Sequence, residues 1–119
     1  MYMQLPSDYT IETSPGPDFT VFYFYPKDTT RRIPWTGGCY LGGHPHPFGP
    51  KNDHCTTDMV QAVLLGKPAA WAIYHCDTEF TAETVVKRSE TDQVHAFISA
   101  KSLEAARNTI HIFESLKEK

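Results

Sequence analysis

At 119 residues the chain has the length of one ordinary domain, long enough to bury a core without staples, so a single domain 1–119 is expected. Eleven Lys and Arg against fourteen Asp and Glu give a net charge of −3, and the basic residues are scattered apart from Arg31-Arg32 and the mixed tail. That balance argues against a phosphate-binding surface and hence a nucleic-acid partner, and no stretch approaches the roughly 18 apolar residues of a membrane span.

The opening "MYMQLPSDYT" has neither the charged nor the apolar region of a secretion signal, although a signal removed upstream would leave the same residues. "DYTIET" (8–13) alternates as a short first strand and stops at the turn "SPGPD". In "DFTVFYFYP" (18–26), Phe19, Val21, Tyr23 and Tyr25 share one face while Thr20, Phe22 and Phe24 share the other. With both faces apolar in its second half, this strand is expected to be central and covered on both sides. "KDTTRR" is a polar turn, and "GGCYLGG" (37–43) alternates Cys39 and Leu41 around Tyr40; Pro34 suggests that this third strand lies at an edge.

Residues 43–57 read as a loop rich in Gly, Pro, His and Asp. "DMVQAVLLG" (58–66) is short enough to be helix or strand and is assigned as strand. "AAWAIYHC" (69–76) is a firmer strand, with Trp71, Ile73 and His75 opposite Ala70, Ala72, Tyr74 and Cys76. "EFTAETVVKR" (79–88) is expected to be a more exposed strand, and "DQVHAFISA" (92–100) sets Val94, Ala96 and Ile98 against His95 and Phe97. Ala70, Ala72 and Ala96 would let a helix approach one sheet face closely. That helix is "SLEAARNTIHIFESLKEK", with Leu103, Ala106, Ile110 and Phe113 as its apolar stripe and Ser102 as its cap. The order predicts an α+β fold: a mostly antiparallel sheet of six or seven short strands with one C-terminal helix packed on it. A second sheet layer or a symmetric partner, as in a homodimer, is expected to cover the other face.

The segment "GGCYLGGHPHPFGPKNDHC" (37–55) carries the densest chemistry. His44, His46, His54 and Cys55 offer the imidazole and thiolate atoms that zinc takes in fours, with Asp53 as a further carboxylate, but adjacent His54 and Cys55 tend to diverge and no CxxC or HExxH frame is present. A disulfide competes for the same atoms. Cys39 with Cys55 is placed first, while Cys55 with Cys76 fits equally well on spacing. A Cys/His nucleophile can be drawn from Cys55 with His75 or Cys76 with His95, although Cys76 suits a buried structural thiol better. His95 and His111 are expected to be partly buried with backbone partners, and Asp77, Glu79, Glu83 and Glu90 to form a solvated edge.

Gly16, Pro17, Asp18, Phe19, Val21 and Tyr23, followed by Gly38, Tyr40, Gly42 and Pro45 and later by Trp71, resemble a pattern in small bacterial periplasmic or lipoprotein-type domains. Some of these look like immunity proteins that neutralise a toxin effector. The resemblance implies a non-catalytic, partner-binding domain and a periplasmic location, and the absence of an ordered catalytic set favours the same class. His44, His46, Phe48, Lys51 and Asp53 are the candidate contacts with that partner. No cofactor is expected on this reading. The alternative is a zinc-type site or small hydrolase built on loop 44–55.

Overall fold

The computed structural model describes residues 3, 5–16, 19–27, 35–43, 47–50 and 53–117. The strands are β1 (Tyr9–Pro15), β2 (Phe19–Pro26), β3 (Trp35–Gly42), β4 (Thr56–Leu64), β5 (Lys67–Cys76), β6 (Glu79–Lys87) and β7 (Gln93–Ala100), followed by helix α1 (Leu103–Phe113). They form one seven-stranded sheet in the order β1-β2-β3-β7-β6-β5-β4, every pair antiparallel. A three-stranded meander and a four-stranded meander thus meet along β3 and β7, and the expected α+β fold is the one observed.

The register assigns every side chain to a face. Phe24, Gly37, Ile98, Ala82 and Ile73 lie along one rung, and Cys39, Ala96 and Thr84 along the next, all on the side of α1. Phe113 anchors the helix there, with its ring 5.4 Å from Trp71 and 5.7 Å from Phe24. Ala106, Thr109 and Ile110 complete the buried stripe, and Ser102 Oγ caps the first turn by accepting from Ala105 N at 3.0 Å. Burial of this layer is the main source of stability: Trp71, Phe113, Leu64, Ile73 and Ile110 are all essentially inaccessible.

Four expectations are corrected by the topology. β3 is interior, between β2 and β7; Pro34 lies outside the described residues, and the strand begins after it. β6 is interior too, with Ala82, Glu83, Thr84 and Val86 buried. The small residues beneath the helix are Ala82 and Ala96, because strand alternation turns Ala70 and Ala72 to the opposite face. β2 is paired on both sides but covered on one: Phe24 is buried whereas Tyr23 is 43% exposed.

The β4–β5 hairpin closes through Leu65 and Gly66, both at positive φ (53° and 77°), the backbone of a two-residue type I′ turn. This turn fixes which residues of β4 and β5 stand opposite one another. Among the described residues no helix is long and apolar enough to cross a membrane.

Candidate functional site

The chain leaves β3 in the sheet interior and must re-enter at β4, the far edge. With strands about 4.8 Å apart, four strand spacings amount to roughly 19 Å. The connection 43–55 therefore has to bridge that span, and its described residues Phe48 and Gly49 lie on the face opposite α1. There Glu83, at the middle of β6, serves as its anchor. Glu83 Oε1 accepts from Phe48 N at 2.8 Å and Oε2 from Gly49 N at 2.8 Å. The same carboxylate meets His95 Nε2 at 2.7 Å and accepts from Tyr74 Oη at 3.0 Å. Phe48 lays its ring against His95 (4.8 Å) and Phe97 (5.4 Å), yet stays 67% exposed.

Burial pushes the Glu83 carboxyl up, but the hydrogen bonds from Phe48, Gly49, His95 and Tyr74 outweigh it and hold the group below its ordinary range. Tyr74 moves the other way: burial first, then its bond to the Glu83 anion, push the phenol up to about 12. A carboxylate has about four lone-pair positions, and Glu83 has four partners. It is a fully satisfied buried anion, and its role is to hold the loop.

Beside Glu83 the same face opens into a pocket of about 340 Å³. Its floor is a rung of small hydroxyl residues, Thr36, Ser99 and Thr81, paired across β3, β7 and β6, with Tyr74 beyond Thr81 on β5. The rings of Tyr23, Tyr25, Phe48, Tyr74 and Phe97 line it. Phe97 reaches over Gly38, where an added Cβ would lie 2.6 Å from its Cζ; a side chain at 38 would displace the ring. Tyr25 Oη donates to Glu12 Oε2 at 2.9 Å, a bond that raises the phenol's pKa.

The disulfide joins Cys55 to Cys76, not Cys39 to Cys55. The reason is parity: Cys39 points to the helix side and is wholly buried as a free thiol, pushed up by desolvation, while Cys76, by alternation from Ile73, points to the other face. Cys55 and Cys76 continue the β4–β5 ladder one rung past Thr56 and His75, with Cα atoms 4.4 Å apart. The bond also removes Cys55 from the zinc set and both sulfurs from the proposed Cys/His nucleophiles. His44 and His46 lie outside the described residues, as does Lys51; His54 and Asp53 stand in an exposed turn, and among the described residues no three His, Cys, Asp or Glu side chains gather as metal ligands.

Of the predicted partner contacts, Phe48 is on the sheet face and Asp53 at the far end of the connection. His95 is buried as expected, but its partner is a carboxylate and not the backbone. His111 is exposed, bonded to Glu114. Glu83 is 5% exposed, so it does not belong to a solvated edge. An interior β6 is the signal that would have marked it, since a glutamate in mid-strand of an interior strand needs internal partners. No family model, no curated protein and no solved structure matches the chain.

Proposed function

We propose that this chain is a non-catalytic protein-binding domain that receives its partner on the sheet face opposite α1. The observation that carries the reading is the distribution of exposed apolar side chains. Among the described residues seven large hydrophobics are exposed, and six of them, Phe19, Tyr23, Phe48, Met59, Val63 and Val85, are on this one face, with Ile11 on the other. Apolar surface concentrated on one face marks an interaction site, whereas scattered exposed residues do not. The sheet belongs to a body of 36 × 33 × 25 Å, a face broad enough for the roughly 800 Å² per partner of a standard interface.

Two chemically capable groups near that face are engaged in structural work. Glu83 has its four partners, and Cys55 and Cys76 are joined, which supports binding over turnover. The resemblance of Gly16 to Tyr23 and Gly38 to Pro45 to bacterial periplasmic domains adds a partner class, a toxin effector that the chain would neutralise as an immunity protein.

The test compares proteins retained by the immobilised chain with those retained by two variants. Phe48→Ser with Tyr23→Ser alters the open face, and Arg107→Glu alters the exposed side of α1. A specific partner held by the wild type and by Arg107→Glu, but lost with the double variant, is the expected result. Equal retention by all three, or no specific partner across several salt conditions, would overturn the reading.

A further inference from the structure

The pocket beside Glu83 is more selective than an apolar depression, and its lining points to one kind of ligand. Five aromatic side chains from β2, β5, β7 and the loop before β4 line it, so a bound group is surrounded by rings from several elements. The only ionised side chain in the lining is the Glu83 carboxylate, and no lysine or arginine contributes among the described residues. A second carboxylate, Glu12, stands at the rim on the edge strand, opposite Tyr23 and bonded to Tyr25. Anions are disfavoured by this field, and cations are favoured both by the carboxylates and by the rings.

The kind of cation follows from the hydrogen bonds. All four acceptor positions of Glu83 are occupied, by Phe48 N, Gly49 N, His95 and Tyr74, so it supplies charge but no free acceptor. A primary ammonium or a guanidinium would lose water from its N–H groups without recovering an ion-paired bond to Glu83. A quaternary ammonium has no such donors to satisfy and presents methyl groups to the rings. The floor of Thr36, Ser99 and Thr81 hydroxyls suits a polar substituent attached to that head. At about 340 Å³, near the lower end of small-molecule sites, the pocket takes one headgroup.

We propose that this pocket binds a quaternary ammonium group, held in an aromatic cage of Tyr23, Tyr25, Phe48, Tyr74 and Phe97. The proposal rests on the reading of this face as the binding surface and names the chemistry that its pocket recognises. The group has two sources, a free small molecule or a trimethylated lysine displayed on the partner protein.

The experiment is a titration of the full chain, followed by amide and aromatic NMR shifts, with choline, with its neutral isostere 3,3-dimethylbutan-1-ol, and with a short peptide containing trimethyllysine. Choline binding roughly tenfold or more tightly than the neutral alcohol, with shifts at Tyr74 and Phe97, is expected from several rings acting on one charge. Tighter binding of the peptide than of choline assigns the source to a protein side chain, and the reverse assigns it to a free cation. Tyr25→Leu, which leaves the Glu83 cluster intact, should lose that preference, and Tyr25→Phe, which keeps the ring, should retain it within about twofold. If neither charged probe binds more tightly than the alcohol, the cage is overturned. Partner retention that still depends on Phe48 and Tyr23 would then leave the protein-binding reading standing, so the two failures are distinguishable.

Discussion

Replacing Glu83 by glutamine keeps the shape of the side chain and exchanges one acceptor oxygen for an NH2 donor. If the NH2 faces Gly49 and Tyr74, the phenol can rotate to accept, but the Gly49 N–H loses its acceptor. If it faces Phe48 and His95, the Phe48 N–H is stranded instead. In both arrangements one loop donor is orphaned, at about 1–3 kcal/mol, and three remaining bonds fall from charge-assisted to neutral, adding roughly 2 kcal/mol. The sum, about 3–5 kcal/mol, reaches no further than the low end of a whole domain's stability of about 5–15 kcal/mol, so Glu83→Gln should fold with a Tm lowered by about 12–20 °C. Urea unfolding followed by tryptophan fluorescence measures the loss, and hydrogen exchange at the Phe48 and Gly49 amides locates it. A loss below about 1 kcal/mol with both amides still protected would refute the assignment of Glu83 as the anchor of the loop.

Because its partners hold the Glu83 carboxyl below its ordinary range, its contribution is complete above the unfolded value of about 4.3 and is lost as pH falls through the lower folded value. Wild type and Glu83→Gln should therefore converge in stability as acid is added, measured as Tm from pH 7 to pH 2. Reducing the Cys55–Cys76 bond, with a sequence separation of 21, should cost about 3 kcal/mol on the chain-entropy model. Thiol titration should find no reactive thiol in the native chain, one after unfolding without reductant and three after reduction, since Cys39 is buried and free. Gly38→Ala should destabilise by about 1–3 kcal/mol, because the new methyl meets the Phe22 carbonyl and the Phe97 ring, and should move Phe97 out of the pocket, read from its ring resonances.

Local pattern sufficed for the elements and failed for their neighbours. Alternation in "DFTVFYFYP", "AAWAIYHC" and "DQVHAFISA" marks strands and their faces, and the stripe Leu103, Ala106, Ile110 and Phe113 marks the helix. Which strand lies beside which is a long-range property, so β3 and β6 read as edge and exposed although both are interior. Everything about the site depends on that order. Once β6 is interior, Glu83 must find internal partners, and the loop after β3 is the segment that supplies backbone donors. The disulfide was within reach of local reasoning. A two-residue turn at Leu65-Gly66 sets the β4–β5 register, and counting outward from it places Cys55 opposite Cys76. The pocket was partly visible, since Tyr23 and Tyr25 share a face by alternation, but Tyr74 and Phe97 come from distant strands and join them only through the sheet order.

Photo-crosslinking inside the producing cell shows most directly whether a partner sits on the face opposite α1. p-Benzoylphenylalanine is placed either at Val85, on β6 of the open face, or at Arg107, on the exposed side of the helix. A discrete protein adduct from position 85 and none from position 107 is expected. An adduct from position 107 alone would contradict this placement of the partner.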